Sequence, residues 1–393
     1  MSEPTVIAGL ARTPMGGMQG DLSDVAAPVL GTVAIRGALS RSGIAADAVE
    51  ETLMGCVLPA GLGQAPARQA ALGAGVPESV PCTTINKMCG SGMKAIMMAH
   101  DAISAGSAGV VVAGGMESMT NAPYILPKVR GGMRLGHGQV LDHMFFDGLE
   151  DAYDKGRLMG SFAEECAKKY AFTREAQDAY AIESLKRAQG AIDRGAFKAE
   201  IEPVTINTRG GERIIDTDEQ PGKAQLDKIP HLRPAFAKDG TVTAANSSSI
   251  SDGGAALVLL SEARASELGV APQARILAHT SHAQEPAWFT TAPVHAVKKL
   301  MQRVGWSVDD VDLFEINEAF AVVAMAAMRE LELPHEKVNV RGGACALGHP
   351  IGASGARIVV TLIHALREMG GRRGVASLCI GGGEATALAI ELA

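Results

Sequence analysis

Short apolar runs alternate along the chain with longer segments in which apolar residues recur at helical spacing. Residues 110–115 and 375–383 are apolar runs that end in glycines, and each follows a segment of helical spacing. Strands that alternate with helices predict βα units and mostly parallel sheets that are covered on both faces. The pattern therefore indicates an α/β fold.

Two pairs of segments match each other at a nearly constant offset of about 262 residues. Residues 43–54 resemble residues 305–316, and each copy predicts a helix end, an acidic turn and a strand. Ser91-Gly92 and Ser354-Gly355 each open an apolar helical run. We therefore predict two duplicated halves, residues 1–118 with 250–270 and residues 271–393, separated by an insert at residues 119–249.

The insert is richer in charge and turns than the two halves. Its helical spacing predicts one helix from residue 162 to about residue 194. A basic cluster precedes this helix, formed by Lys128, Arg130, Arg134 and His137. The cluster is either a solvated surface or a contact for phosphate or for a second subunit.

Composition and charge exclude several classes of protein. With 393 residues, 47% of them hydrophobic, the chain can fill more than one core. A formal charge of −7 does not indicate binding to nucleic acid or to anionic lipid. The first strand begins almost at once, without a leader-like segment, and no apolar run is long enough for a membrane helix. We therefore expect a cytoplasmic protein.

The six cysteines are scattered without CxxC pairs, so neither a disulfide framework nor a zinc site is expected. Cys89 differs from the others because it follows a predicted strand and stands at the entrance of a helix. Helix N-terminal N–H groups lower a thiol pKa and can hold an oxyanion. Cys89 is therefore a candidate nucleophile, although its local sequence also fits a buried structural thiol.

Three further residues are candidates for the same cleft. His349 lies in the glycine-rich turn that opens the matching helix of the second half, so the duplication brings it toward Cys89 as a base. Cys379 ends a strand before three glycines and suits an acid/base role, whereas Asn317 follows a strand end and suits an orienting role. For its neighbour Glu318, we expect a satisfied charge in a polar turn.

The motifs that contain these residues resemble those of the thiolases, and within that family those of the acetyl-CoA acetyltransferases. The motifs are Cys89-Gly-Ser-Gly-Met-Lys, Gly114-Gly-Met-Glu-Ser118, Asn317-Glu-Ala-Phe320, Gly348-His-Pro-Ile-Gly-Ala-Ser-Gly355 and Cys379-Ile-Gly-Gly-Gly383. The resemblance runs from the first strand to the last residues. It implies two βαβαβαββ halves in five layers, α-β-α-β-α, with an inserted loop domain that binds coenzyme A.

The resemblance also implies the role of each residue. Cys89 is the acylated nucleophile, His349 activates it, and Cys379 moves the proton at the α-carbon of a second thioester. One oxyanion site consists of His349 and a water held by Asn317, and the other of the N–H groups of Cys89 and Gly381. The implied reaction is the reversible condensation of two acetyl-CoA to acetoacetyl-CoA and coenzyme A.

The family implies coenzyme A and acyl-CoA as substrates, with no tightly bound cofactor, in a homotetramer that is a dimer of dimers. No metal site is expected. Subunits of such relatives are expected to pair through a sheet edge near residues 114–118. The implied contacts of the substrate lie in the insert and around the cleft. They are Ser248, Ala244, Leu232, Phe236, Met159, Phe289, Ala319 and Phe320.

Three positions depart from the usual family pattern. Leu158 stands where many short-chain members have histidine, Cys345 replaces a more usual apolar or small residue, and Glu384 continues the last glycine run. Phe289 aligns with a bulky pocket residue of acetoacetyl-specific members. A single apolar contact separates chain lengths by only about 1–3 kcal/mol. The length of the acyl chain therefore stays open.

Three classes of function remain from the sequence. The first is a thiolase that either condenses two acetyl-CoA or cleaves 3-ketoacyl-CoA of broader chain length in fatty acid β-oxidation. The second is a decarboxylating ketoacyl synthase, for which Cys379 would not be expected. The third is a non-catalytic acyl-CoA or lipid-binding relative, which the presence of both cysteines, His349 and Asn317 disfavours.

Overall fold

The computed structural model describes residues 4–208 and 210–393. Within them the strands are β1 Thr5–Arg12, β2 Gly16–Gly17, β3 Glu51–Gly55, β4 Cys82–Ile85, β5 Val110–Ser118, β6 Tyr124–Ile125, β7 Leu141–Asp142, β8 Val204–Thr208, β9 Gly211–Ile215, β10 Ser251–Ser261, β11 Ala274–Ala283, β12 Leu313–Ile316, β13 Arg373–Ile380 and β14 Glu384–Leu392. The α-helices are α1 Ala27–Ser42, α2 Pro66–Gly73, α3 Ser91–Ser104, α4 Met159–Tyr170, α5 Arg174–Asp193, α6 Glu219–Lys223, α7 Glu262–Glu267, α8 Ala292–Val304, α9 Ala321–Leu331, α10 Ala344–Leu347 and α11 Ser354–Met369. In this part of the chain, no helix combines the length and apolar character needed to cross a membrane.

The main sheet joins both halves of the chain in the order β12-β13-β14-β11-β1-β10-β5-β3-β4, with β2 on β10. The α/β class is confirmed, but the prediction of mostly parallel strands is wrong. Among the described strands, only the pairs β3–β4, β3–β5 and β12–β13 are parallel. The return from β13 to β14 shows why, because a short turn of Gly381, Gly382 and Gly383 joins the strands and makes them antiparallel.

The layers follow from the alternation of side chains along the buried strands. In β10, Leu257 and Leu259 enter the core that surrounds α3 and α11, whereas Val258 and Leu260 enter the core beneath α1 and α2. In β14, Leu388 likewise faces α3 and α11, while alternate residues face α8 and α9. The order is therefore α1/α2, sheet, α3/α11, sheet, α8/α9.

The duplicated pattern is visible in the strand order of the two halves. The first half runs β4-β3-β5-β10-β1, and the second runs β12-β13-β14-β11. A parallel bridge between Phe314 and Val338 adds the element that corresponds to β4. The strand-like segments before Cys89 and before the His349 turn therefore occupy equivalent places.

The helices α3 and α11 cross at two glycines that the duplication makes equivalent. A Cβ atom on Gly92 would lie 2.9 Å from the backbone nitrogen of Ala356, and one on Gly355 would lie 2.3 Å from that of Met93. The contact is reciprocal, as expected at a pseudo-twofold axis. It brings the N-terminus of α3, next to Cys89, against the N-terminus of α11.

The insert contains β6 to β9 and α4 to α6, between the end of β5 and the start of β10. The single helix predicted over residues 162–194 is wrong, because α4 ends at Tyr170 and α5 begins at Arg174. Ala171 has a left-handed φ of 51°, and Thr173 caps α5 by accepting a hydrogen bond from the Ala176 N–H. The boundaries of the halves and of the insert stay a prediction.

The sheet edge expected near residues 114–118 is not an edge. Strand β5, which contains them, pairs with β10 on one side and with β3 on the other. Within residues 4–208 and 210–393, the outer strand on that side of the sheet is β4. The expectation came from the family resemblance alone. In this chain, Gly114 and Gly115 admit the neighbouring backbone of Ala255 and Gly352.

The glycine crossing gives a testable prediction. Gly355→Ala forces a methyl group onto backbone atoms that cannot swing away, so the variant should lose about 1–3 kcal/mol of unfolding free energy. It should also lose activity, because the two helix N-termini must separate. Urea denaturation and steady-state rates measure the two effects.

Gly222→Ala is the matched control, since Gly222 also lies in a helix but has open space at its Cβ position. That variant should stay within about 0.5 kcal/mol of the unsubstituted protein. Equal stability of the two variants would show that the crossing is not a close constraint.

Candidate active site

Cys89 lies in a strained turn between β4 and α3. The preceding Met88 has φ of +48°, a left-handed conformation that is unfavourable for a non-glycine residue. The turn is held by hydrogen bonds from the Met88 N–H to Asn86 Oδ1 (3.0 Å) and from the Lys87 N–H to Ser91 Oγ (2.8 Å). These bonds fix Cys89 at the helix entrance, where a nucleophile is expected.

The partly buried Cys89 holds its thiol against two backbone N–H groups. Burial raises its pKa to about 11, and the charge of Glu117 adds to that increase, whereas the N–H groups of Gly381 and Cys89 itself lower the pKa by donating to the sulfur. The thiol is therefore protonated at neutral pH. The same two N–H groups are available to an oxygen that develops negative charge at this position.

His349 presents an unprotonated nitrogen to the same place. Its Nδ1 lies 2.5 Å from Ser354 Oγ, and the hydroxyl of Ser354 donates to the Pro350 carbonyl at 2.9 Å. Because that hydroxyl has only one hydrogen, Nδ1 must be the donor to Ser354, which leaves Nε2 as an acceptor. Nε2 is buried without a partner in the described chain.

The surroundings of His349 keep the ring neutral. Burial, together with the smaller effect of the buried guanidinium of Arg357, lowers its pKa to about 3. Arg357 lies one helical turn after Ser354 and faces Glu315 at 3.6 Å. His349 is thus a free base at neutral pH, although a weak one until the cavity holds a developing charge.

Asn317 follows β12 directly, as predicted, and is 1% exposed. Its backbone N–H donates to the Ser377 carbonyl at 3.0 Å. Neither atom of its side-chain amide has a hydrogen-bond partner among the described residues. Buried amides are normally paired, so this amide is available to a water or a substrate.

Glu318 contrasts with its neighbour. Its carboxylate accepts hydrogen bonds from Tyr180 Oη (2.9 Å), Ser184 Oγ (2.8 Å) and Asn339 Nδ2 (2.8 Å), and from the Cys345 N–H (3.0 Å). The expected satisfied charge is confirmed. Glu318 therefore holds the turn that carries Asn317 rather than facing a substrate.

Cys379 is fully buried beside Cys89. Burial raises its pKa well above the ordinary value for a thiol, and the nearby Cys89 adds to the effect. Both thiols resist ionisation, and a negative charge on one raises the cost of a charge on the other. Cys379 can therefore act as a base only when Cys89 carries no negative charge. This condition fits a base that acts after an acyl group has occupied Cys89.

These residues surround a cavity of about 380 Å³. Ten of the predicted site residues line it: Cys89, His349, Gly381, Met159, Phe289, Ala319, Phe320, Phe236, Ala244 and Ser248. Cys379 and Asn317 are buried and do not belong to this lining. Leu232 lines a neighbouring cavity of about 360 Å³ that shares Ala244 and Ser249 with the first.

Glu117 is a site residue to which the sequence motif assigned no role. It is fully buried and accepts hydrogen bonds from the N–H groups of Val57 (3.0 Å), Leu58 (3.1 Å) and Gly352 (2.9 Å). Burial raises its pKa to about 7. Because Gly352 belongs to the His349 turn, this carboxylate ties that turn to the first half of the chain.

The three departures have different surroundings. Leu158 lines the cavity, so this part of the wall is apolar. Cys345 touches the Glu318 carbonyl through its sulfur at 3.6 Å and lines the neighbouring cavity. Glu384 forms an ion pair with Lys87, which joins the Cys89 turn to the strand after the three glycines.

The fold and this constellation define a thiolase-type acyltransferase. The thiolase N-terminal domain family matches residues 5–263, and the thiolase C-terminal domain family matches residues 270–392. The chain belongs to the thiolase family. The family and fold class inferred from the motifs are thereby confirmed.

Relatives with full-length similarity sharpen this assignment. The chain is 52% identical to acetyl-CoA acetyltransferase 2 of Arabidopsis thaliana, over 98% of this chain and 96% of that protein. It is 49% identical to acetyl-CoA acetyltransferase of Cupriavidus necator, over 98% of each chain. The crystal structure of the Bacillus anthracis acetyl-CoA acetyltransferase superposes with a TM-score of 0.97 at 42% identity, covering 100% of this chain and 99% of that one. The Acat5 thiolase from Ascaris suum, solved in complex with coenzyme A, superposes with a TM-score of 0.94 at 45% identity over the whole of both chains.

The protonation states predict how Cys89 reacts with iodoacetamide. Only the thiolate is alkylated, so below a pKa of about 11 the rate should rise about tenfold per pH unit from pH 7 to pH 10. Peptide mass spectrometry identifies the labelled cysteine, and loss of activity gives the rate. A rate that is already constant near pH 7 would instead show a preformed thiolate–imidazolium pair.

Proposed function

We propose that this protein is an acetyl-CoA C-acetyltransferase, which condenses two acetyl-CoA to acetoacetyl-CoA and coenzyme A or runs the reverse thiolysis. The observation that carries the proposal is the placement of the Cys89 thiol. It lies between the N–H groups of Cys89 and Gly381, in one cavity with the free Nε2 of His349 and beside Cys379. The activity stated for the full-length relatives agrees with this arrangement.

In the first half-reaction, His349 Nε2 takes the proton of Cys89 while the sulfur attacks the carbonyl carbon of acetyl-CoA. The N–H groups of Cys89 and Gly381 stabilise the oxyanion. The carbon–sulfur bond to coenzyme A breaks, and the departing thiolate takes the proton of Cys379. The products are an acetyl thioester on Cys89, a thiolate on Cys379 and a protonated His349.

In the second half-reaction, the Cys379 thiolate removes a proton from the methyl carbon of a second acetyl-CoA. The enolate oxygen accepts hydrogen bonds from protonated His349 and from a water held by Asn317. The enolate carbon attacks the acetyl group, and Cys89 leaves and recovers its proton from His349. Every group returns to its starting state, with acetoacetyl-CoA formed.

The two adjoining cavities suit the length of coenzyme A. The first leads past Ser248, Ala244 and Phe236, where the pantetheine arm would lie. Lys223 and Lys228 line the second cavity, which Leu232 also borders, and their ammonium groups would face the phosphates. The sequence did not single out these lysines, because they lie in two separate elements of the insert.

The aromatic wall favours a short acyl group. Phe289 is buried, and its ring packs edge-on against Phe162 (centroids 6.2 Å apart) and Phe320 (6.5 Å). A ring fixed on both sides cannot turn away to lengthen the pocket. A broader chain-length range remains the second candidate, because Leu158 makes the neighbouring wall apolar.

The insert carries an exposed apolar surface that suits subunit contacts, so we include a homotetramer in the proposal. Leu135 is 99% exposed, and Tyr124 and Val140 are 68% and 62% exposed on the same loop. Exposed apolar side chains that together form a patch mark protein–protein contacts. A cytoplasmic location and a role in fatty acid metabolism stay predictions.

The division of labour between the thiols tests the proposed function. Cys379→Ala should still be acetylated on Cys89, with only a modest loss of rate, because coenzyme A can leave as a thiolate without a proton donor. Acetoacetyl-CoA synthesis should fall by at least about 100-fold, because the α-proton loses its base. Mass spectrometry follows the acyl-enzyme, and loss of the 3-keto thioester with added coenzyme A follows thiolysis. Cys82→Ala is the matched control, a partly exposed thiol outside the cavity that should leave both rates unchanged.

Three outcomes would contradict this mechanism. They are inactivity of the unsubstituted protein on acetoacetyl-CoA, a full rate in Cys89→Ser, and equal loss of both half-reactions in Cys379→Ala. A series of 3-ketoacyl-CoA substrates separates the two candidate functions, since the acetyltransferase should prefer the four-carbon substrate.

The loop surface predicts the assembly. Leu135→Glu places a charge in an apolar contact and should convert tetramers to smaller species, seen as a lower mass in size-exclusion chromatography with light scattering. Ile214→Glu is the control, because Ile214 is 63% exposed on a different hairpin of the insert. A smaller species already present in the unsubstituted protein, or unchanged mass in Leu135→Glu, would contradict the assignment.

A further inference from the structure

Three metal-ligating side chains meet outside the cavity, where the C-terminal part of α3 approaches β11. His100 and Asp101 lie in the C-terminal part of α3, and His279 lies in the middle of β11. Each offers one ligand atom, and these atoms all lie within 4.8 Å of one another. Among the described residues, no other group of this kind brings together three such side chains.

In the part of the chain that the structure describes, the cluster includes an imidazole nitrogen that has no hydrogen-bond partner to give up. His100 Nδ1 is buried without a hydrogen-bond partner in the described chain. The two rings stand edge to face with centroids 5.3 Å apart, and His279 Nε2 lies 2.9 Å from Asp101 Oδ1.

We propose that His100, Asp101 and His279 form a binding site for a divalent transition-metal ion of the Zn²⁺, Co²⁺ and Ni²⁺ group. Imidazole nitrogens suit these ions, whereas Mg²⁺ and Ca²⁺ favour sites made of oxygen alone. Water would complete the coordination, as in other sites with three protein ligands.

The geometry allows the small closure that an ion requires. Metal–ligand bonds of about 2.0–2.2 Å need ligand atoms closer together than the widest separation here. Asp101 has a side chain that is 59% exposed, so it can turn without disturbing the core. The ion would replace the hydrogen shared by His279 and Asp101, and the two rings would move little.

The site joins the two halves of the chain. Helix α3 begins two residues after Cys89, whereas β11 belongs to the second half and pairs with β14. An ion held by both elements would clamp the nucleophile's helix to that half without entering the cavity. We therefore expect the ion to raise the thermal stability of the chain and to have no part in the chemistry of Cys89.

The sequence did not reveal this site, since Asp101 and His279 are 178 positions apart. The expectation of no metal rested on the spacing of cysteines. Here the ligands come instead from two histidines and a carboxylate. Only the packing of a helix from one half on a strand from the other brings them together.

The test is titration of the full chain with Co²⁺, followed by calorimetry and visible absorption. We expect about one ion per chain, a rise in the midpoint of thermal unfolding, and a spectrum without thiolate-to-metal charge transfer. His279→Gln and Asp101→Asn should each weaken binding by at least about tenfold. Both variants should keep acyl transfer, which shows that they are folded.

His282→Gln is the matched control, because His282 lies on the same strand but outside the cluster. It should bind Co²⁺ like the unsubstituted protein. The proposal is overturned if the unsubstituted protein binds no ion, if His279→Gln binds equally well, or if charge-transfer bands place the ion on the cysteines. None of these outcomes bears on the acetyltransferase assignment, which rests on the cavity.

Discussion

The site depends on how closely α3 and α11 approach each other. Gly92 and Gly355 allow the backbone of each helix to touch the other. The Gly352 carbonyl oxygen also approaches Gly115 so closely that a Cβ atom there would lie only 2.0 Å from it. Dispersion alone would favour contact between any two apolar helices. Only glycine, which has no Cβ atom, allows the two N-termini to meet. Those N-termini position Cys89 and His349.

Electrostatics explains why Cys89 and His349 are both uncharged in the free site. Burial keeps the Cys89 thiol protonated and His349 unprotonated, so no ion pair exists before a substrate arrives. In the proposed mechanism, charge appears only when a carbonyl oxygen occupies the place beside the N–H groups of Cys89 and Gly381. A site that separates charge only around its substrate limits side reactions of a reactive thiol with other electrophiles.

Much of this arrangement could be predicted from the sequence because the duplication supplies long-range information. Cys89 and His349 occupy equivalent turns, so a repeat alone predicts that they face each other, and strand ends place Asn317 and Cys379. Other features depend on contacts that leave no local pattern. The break at Ala171 is a single left-handed residue, Glu117 acts through the backbone of distant segments, and the strand directions follow from a three-glycine turn.

The shared core around α3 and α11 also bears on folding. Its residues come from strands of both halves, and β1 pairs with β11 across the boundary. Either half alone would expose one apolar face of its central helix to water. We infer that the repeats, although each has its own strand order, unfold together as one cooperative unit, much as an obligate dimer does when its two subunits are fused into a single polypeptide.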